Sequence, residues 1–174
     1  MLKHLEQAIS NTVMPLFMTS IANEFNRQGH KLSGATVAGM QFKVEANANS
    51  IEGAISAPKS MIIQNLGIAA NRIPYSGRTG SGGKSAYIEA LIQYAMKRGM
   101  ENPKAAAFAI AAKHKQEGMQ TKASSRFSAS GARKGFVKEA IKNTHKQASK
   151  IIFDAYKKDE IERLRRVIRG LTAA

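Results

Sequence analysis

The sequence predicts an α+β fold, dominated by helices and carrying one small antiparallel sheet. Three observations predict it. Apolar residues recur at helical spacing over the first 26 positions. They switch to strict alternation on both sides of an Asn-rich stretch, Asn47-Ala48-Asn49-Ser50. From Ser85 onwards the spacing is helical again.

Leu2, Leu5, Ile9, Val13, Leu16, Phe17, Ile21 and Phe25 form one stripe of a first helix. Pro15 removes a backbone hydrogen bond inside it, so a kink is expected there, and Gly29 is its expected stop. Ala38, Met40, Phe42, Val44 and Ala46 then alternate with Gly39, Gln41, Lys43 and Glu45. Ile51, Gly53, Ile55 and Ala57 alternate beyond the Asn-rich stretch, which predicts a hairpin over about 36–57. One of its faces is apolar and the other charged, so it is expected to cover a core on one side. The N-terminal helix and the C-terminal helices are expected to pack this sheet.

Met61, Ile62, Ile63, Leu66 and Ile68 suit a short helix ending at Gly67 or a third strand; the reading preferred is the short helix, with an extended segment on to Pro74. Residues 76–84, SGRTGSGGK, read as a polar loop. Ile88, Leu91, Ile92, Ala95 and Met96 predict a helix closed by Gly99. Asn102 is a helix cap with Pro103 at the first helical position, and the alanine-rich run that follows ends at Gly118. A loop over 119–131 leads to a long helix with Phe136, Val137, Ala140, Ile141, Ala148, Ile151, Ile152 and Ala155 on its apolar face. Asp159 is expected to cap a last helix carrying Ile161, Leu164, Val167, Ile168 and Leu171. The domain reading is a single α+β domain over 1–155 and a helical extension over 156–174.

Composition narrows the chemistry. The chain has 174 residues and no cysteine, which excludes a disulfide scaffold, a thiolate zinc site and a thiol nucleophile. No run of 18 apolar residues exists to span a membrane, and no membrane partner is expected. Glu6 and Gln7 stand where a signal peptide would be apolar, so synthesis in the cytoplasm is expected. The loop around Gly83-Lys84-Ser85 invites comparison with a phosphate-binding loop. That motif, Gly-x4-Gly-Lys-Ser/Thr, needs a glycine where Arg78 stands, and Gly77 comes one residue too early. His4, His30, His114 and His145 are scattered with no second ligand at i+4, so no metal site is expected. His114, between Lys113 and Lys115, reads as solvated surface. No serine sits in a Gly-x-Ser-x-Gly elbow. The reading is a non-enzyme with no catalytic residue and no cofactor.

Charge is the most specific feature. The net charge is +15, and residues 1–57 contribute nothing to it, with four basic and four acidic side chains. An excess this large implies a polyanion or an acidic protein surface as partner. Lys134, Lys138, Lys142, Lys146 and Lys150 recur every four residues and trace a slanted stripe along one side of a helix. They are candidate contacts for DNA or for an acidic partner. No aromatic residue interleaves with them, so a nucleic-acid contact would be electrostatic and blind to sequence. Arg163, Leu164, Arg166, Val167 and Ile168 belong to an amphipathic element that docks either at home or on another subunit. Arg78, Gly80, Gly82 and Lys84 mark a candidate loop that orders on a partner.

The order of parts is helix, hairpin, Gly-rich loop, then helices, with a small-residue loop before a phenylalanine-led helix. With Leu32-Ser33-Gly34 ahead of the sheet and Ser125-Arg126-Phe127-Ser128-Ala129-Ser130-Gly131 ahead of Gly135-Phe136-Val137-Lys138-Glu139-Ala140-Ile141, it resembles the tail-completion and neck proteins of tailed bacteriophages. The segment from Ile73 to Thr121 is similar to versions from crAss-like phages. The resemblance spans residues 30–155 and implies a structural virion protein of the neck, or head–tail connection. Its copies would form a ring, six- or twelve-fold, through which DNA passes. The implied partners are further copies of the chain, the portal, adaptor or tail proteins of the same virion, and packaged DNA touched without sequence preference.

Overall fold

The computed structural model describes residues 2–30, 34–47, 50–77 and 85–172 of the chain. It carries a helix-dominated α+β fold with a two-stranded antiparallel sheet. The chain forms two compact units. Unit 1 comprises residues 1–26, 34–58 and 136–174, and unit 2 comprises residues 27–33 and 59–135.

Unit 1 is an antiparallel helix pair bearing the hairpin. Its first helix runs as α1 (Lys3–Ala8), a π-helical stretch (Ile9–Val13) and α2 (Met14–Arg27). The stretch ends two residues before Pro15, where the sequence predicts a kink. The ring of Pro15 removes one backbone donor, and the wider turn is how the helix passes that position. Its partner is α7, a single helix from Phe136 to Thr172. The expected break at Asp159 does not exist, because no Gly or Pro interrupts residues 136–169. Asp159 caps the other helix instead. Its carboxylate accepts the N–H of His4 at 3.0 Å and that of Leu5 at 2.9 Å, filling the first turn of α1 where Leu2 offers no side-chain cap.

The packed side of α7 opens on a phenylalanine and continues mostly in small residues. Phe136, Ala140, Thr144, Ala148, Ala155 and Asp159 are the buried positions of α7. Phe136 stands edge-on to Phe25, with ring centroids 5.2 Å apart. Farther along, Ser20 donates from its hydroxyl to the carbonyl of Ala140 at 3.1 Å. Ile141, expected in the core, is exposed. At 100° per residue it falls beyond the edge of the packed stripe, a boundary that periodicity alone blurs.

The hairpin pairs β1 (Gln41–Ala46) with β2 (Ile51–Ser56), from Gln41 opposite Ser56 to Ala46 opposite Ile51. The N–H of Asn47 donates to the carbonyl of Ser50 at 2.8 Å and closes the turn. Two expectations are corrected here. Residues before Met40 form a helical turn, α3 (Ala35–Ala38), in place of the start of the strand. Gly34 adopts φ of +80°, a left-handed conformation that launches this turn, and Gly39 lies where a Cβ would meet the ring of Pro58 at 2.7 Å. The apolar face, moreover, is covered only in part, with Val44, Ile51 and Ile55 half-buried. Met14 seats its sulfur where a Cβ on Gly53 would stand, while Phe42 on the same face is 39% exposed.

The helices of unit 2 follow the sequence, but the segment expected to run extended to Pro74 contains a 3-10 turn, Ala70–Arg72, closed by the Arg72 N–H on the Ala69 carbonyl at 2.9 Å. Unit 2 contains α4 (Lys59–Leu66), α5 (Ala86–Lys97) and α6 (Pro103–Glu117). Asn102 caps α6 by accepting the N–H of Ala105 at 3.0 Å, with Pro103 in the first turn. The core joins Ile88 and Ile92 to Ala107 and Ala111, flanked by Tyr75, Tyr87, Leu91 and Phe108. Met96, expected on the α5 stripe, is exposed at its edge. The expected loop over 119–131 contains a 3-10 helix, Lys122–Phe127.

His114 is corrected from solvated surface to a half-buried partner of Tyr87. Its Nδ1 lies 2.7 Å from the Tyr87 hydroxyl. Burial pushes the phenol up to about 12 and lowers the imidazole, so the bond joins two uncharged groups at neutral pH. The signal was present: Ala107, Ala111 and His114 share one side of α6.

His30 is buried too, and its Nε2 donates to the carbonyl of Arg133 at 3.2 Å. Burial, and then the Arg133 guanidinium, bring its pKa down to about 4 from the ordinary 6.5. The folded state therefore binds this proton more weakly than the unfolded chain. The stability that His30 contributes is complete above about pH 6.5 and is lost as pH falls from there towards 4. His30→Gln keeps a donor for the carbonyl and cannot ionise. Thermal melts between pH 7 and pH 4 should show a shallower acid limb for the variant than for the parent chain.

Candidate functional site

The candidate site is the outward side of α7. Its rotation is fixed by the packed face, where Phe136, Ala140, Thr144 and Ala148 recur every fourth residue. Thr144 returns its hydroxyl to the carbonyl of Ala140 at 2.7 Å, which hides its polar group inside the helix. Lys138, Lys142, Lys146 and Lys150 fall on the opposite side, and all four are exposed. They span about 18 Å at 1.5 Å per residue.

Lys134 does not belong to this ridge. It precedes the helix, lies in unit 2, and lays its side chain over Gly67, 2.7 Å from where a Cβ there would stand. The expected five-residue stripe is therefore four residues long. Its fourfold spacing continued into a segment that the backbone turns away at Gly135, φ +72°.

Two of the four lysines are paired. Lys142 stands 3.7 Å from Glu139, and Lys150 bonds Asp154 at 2.8 Å. The hydrogen bond between Lys150 and Asp154 raises the ammonium pKa and lowers that of the carboxyl. Lys138 and Lys146 carry no ion pair among the described residues. Lysines four apart on one helix repel each other weakly, and an anionic partner lying along them relieves that repulsion. Such a side holds a phosphate chain or an acidic surface without reading bases, because base readout needs groups that reach groove edges or stacked rings.

The five docking candidates all lie on exposed turns of α7 but not on one side of it. Leu164, Val167 and Ile168 share the outward side, and Arg163 borders it. Arg166 points to the other side, and its Nε donates to the carbonyl of Glu162 at 3.4 Å. Arg163 pairs with Glu160 at 2.9 Å. Phe153 and Tyr156, not among those candidates, extend the apolar side and are 64% and 45% exposed. Their signal was an eleven-residue offset, Phe153 to Leu164 and Tyr156 to Val167, which returns a helix to the same side. The outward side of α7 is thus basic from Lys138 to Lys150, and the segment that follows carries exposed apolar residues from Phe153 to Leu171, with Lys157, Glu160 and Arg169 among them.

The candidate loop residues Arg78, Gly80, Gly82 and Lys84 lie outside the described residues. Among the described residues no three His, Asp or Glu gather as a metal site requires. No described helix is long and apolar enough to cross a membrane. Compared with known protein families, curated proteins and solved structures, the chain matches none of them.

Proposed function

We propose that this chain is a non-enzymatic structural protein of a tailed-phage virion, forming a homo-oligomeric ring at the head–tail connection through which DNA passes. The observation that carries the reading is the division of α7. One side is committed to the core of its own unit, and the other presents four exposed lysines followed by exposed apolar residues. A subunit that must meet both a polyanion and other proteins needs such a helix. The order of helix, hairpin, Gly-rich loop and phenylalanine-led helix supports the neck class. Portal, adaptor or tail proteins would be its neighbours, and packaged DNA or an acidic adjoining ring would face the lysines.

The test is copy number per particle, by quantitative mass spectrometry of purified virions. A fixed count of about six or twelve, as closed cyclic assemblies require, is the expected result. Absence from virions overturns it.

A second reading is favoured by the unpaired state of Lys138 and Lys146: a free, sequence-independent nucleic-acid-binding protein. Duplex binding separates the two. A free binder changed to glutamine at Lys138, Lys142, Lys146 and Lys150 should lose up to about 3.6 units from its slope of log affinity against log salt, about 0.9 per phosphate contact. A ring subunit should bind duplex feebly as an isolated chain, and the same four changes should leave its slope nearly unaltered.

A further inference from the structure

The hairpin is the whole of its sheet, so both of its long edges are open among the described residues. The edge of β1 carries the stronger signal. Asn47 donates its N–H to the carbonyl of Ser50, and the register runs back from that pair to Gln41 opposite Ser56. In an antiparallel ladder every second pair exchanges hydrogen bonds, so Gln41, Lys43 and Glu45 bond across to β2. Phe42, Val44 and Ala46 therefore turn their N–H and carbonyl groups outward. None of these groups has a hydrogen-bond partner among the described residues. Five of the six residues of β1 are exposed, and Val44 is half-buried. No proline, glycine or bulge blunts the strand.

The charges on the strand itself identify what completes it. Lys43 and Glu45 stand two residues apart on the polar face, both exposed and paired with each other. Glu45 also lies directly opposite Glu52 of β2, a like-charge pair that costs stability. Lys43 is the one base on that face of the hairpin. When the strand is reversed about Val44, it offers a glutamate wherever it offered a lysine. We infer that the outer edge of β1 pairs antiparallel with the same edge of a second copy of the chain, about a two-fold axis at Val44.

Two independent conditions meet at that axis. Hydrogen bonding requires each outward-facing residue to lie opposite another, so the axis falls on a residue and not between two. Charge requires Lys43 of each copy to lie opposite Glu45 of the other. An axis at Val44 satisfies both. Phe42 then faces Ala46 and Val44 faces its own counterpart, which allows about six hydrogen bonds, two for each pair. The lysine of the second copy also reaches Glu45 from the side away from Glu52, offsetting the repulsion within the hairpin. An axis at Lys43 or Glu45 would set that charge against itself, and a parallel alignment in register would do both. Joining β1 to the outer edge of β2 in a next copy would match Lys43 with Glu52 but leave Glu45 unmatched, and it would not stop at two copies. The inferred contact is two-fold, whereas the contacts of a ring all run in one rotational sense, so it stands apart from the proposed function.

Amide exchange and sedimentation equilibrium of the full chain test it together, because the strand carries its own control. The N–H groups of Phe42, Val44 and Ala46 should gain several-fold protection as concentration rises. Those of Lys43 and Glu45, held by β2, should be protected at every concentration. Association should stop at two copies. Lys43→Glu and Glu45→Lys should each weaken it about tenfold, since each sets two like-charge pairs across the axis. The double variant K43E/E45K should restore it to within a few-fold, and an equimolar mixture of the single variants should associate at least as tightly as the parent. Val44→Pro removes an outward donor that the hairpin does not use, so it should abolish association while Lys43 and Glu45 stay protected. A parent chain that remains monomeric at about 100 μM, a range in which weak specific pairs form, overturns the inference. So does association that leaves the three outward amides exchanging as in the monomer, or a double variant that stays weak with its hairpin intact. Association that runs past two copies, and that K43E/E45K does not restore, overturns it in favour of Lys43 meeting Glu52 of a next copy.

Discussion

Truncating Phe136 to alanine is expected to lower stability by about 3–5 kcal/mol, the range for large-to-small changes at fully buried aromatic sites. Phe136 is among the largest fully buried side chains among the described residues and stands edge-on to Phe25. It opens the packed side of α7, and the residues that follow it there are small: Ala140, Thr144 and Ala148. Small neighbours have no reach to fill the space, so the cavity persists instead of collapsing. The edge-to-face pairing is lost as well, which adds about 0.5–1.5 kcal/mol to plain burial. Urea denaturation followed by far-UV circular dichroism measures the loss. A cost below about 1 kcal/mol would show that α2 and α7 do not depend on this contact.

The second large effect is expected at Asp159. Replacing it with alanine should cost about 2–4 kcal/mol, from two charge-assisted hydrogen bonds and a favourable charge at a helix N-terminus. The carboxylate is buried, so water does not readily replace it on the N–H groups of His4 and Leu5. His4 also bonds Glu162 at 2.8 Å, and that bond holds the Glu162 carboxyl below its usual range. The first turn of α1 is therefore strapped to α7 at neighbouring points. Asp159→Asn keeps one acceptor but turns an amide donor towards an N–H, so it should fall between the parent and Asp159→Ala. Amide exchange at His4 and Leu5 locates the damage. If those two amides stay as protected as in the parent, the capping role is refuted.

Asp159 also shows what the sequence made legible and what it did not. Helical spacing, the Asn102–Pro103 start of α6 and the alternation of β1 and β2 are local signals, and the structure follows them. An aspartate that caps a helix more than 150 residues away leaves no local mark, so its nearest local role, capping a following helix, was the natural expectation. Residues 35–38 fail for a related reason. Their alternation suits a strand, but the left-handed Gly34 commits the backbone to a turn before the pattern can act. In the candidate site, fourfold spacing identified Lys138, Lys142, Lys146 and Lys150 correctly as one side of a helix. It ran one lysine too far, because spacing carries no information about where a helix begins. Phe153 and Tyr156 fall outside the apolar stripe read from spacing, and their partners eleven residues on, Leu164 and Val167, lie beyond the break expected at Asp159, so no single predicted helix joins them.

The way unit 2 ties its own ends has a consequence for how the helix pair can assemble. The carbonyl of Arg27 accepts from the N–H of Ala129 at 3.0 Å, and the Arg133 guanidinium donates to the carbonyl of Gln28 at 2.8 Å. His30 adds its bond to Arg133. The first segment of this unit and its last are thus tied side by side, although about 100 residues, those of 34–58 in unit 1 included, separate them. Closing a free loop of that length costs (3/2)RT ln n, about 4 kcal/mol in chain entropy beyond a constant. Once unit 2 has formed, that cost has been met by its own hydrogen bonds and core. Helices far apart in sequence then pair as the two arms of a short hairpin would.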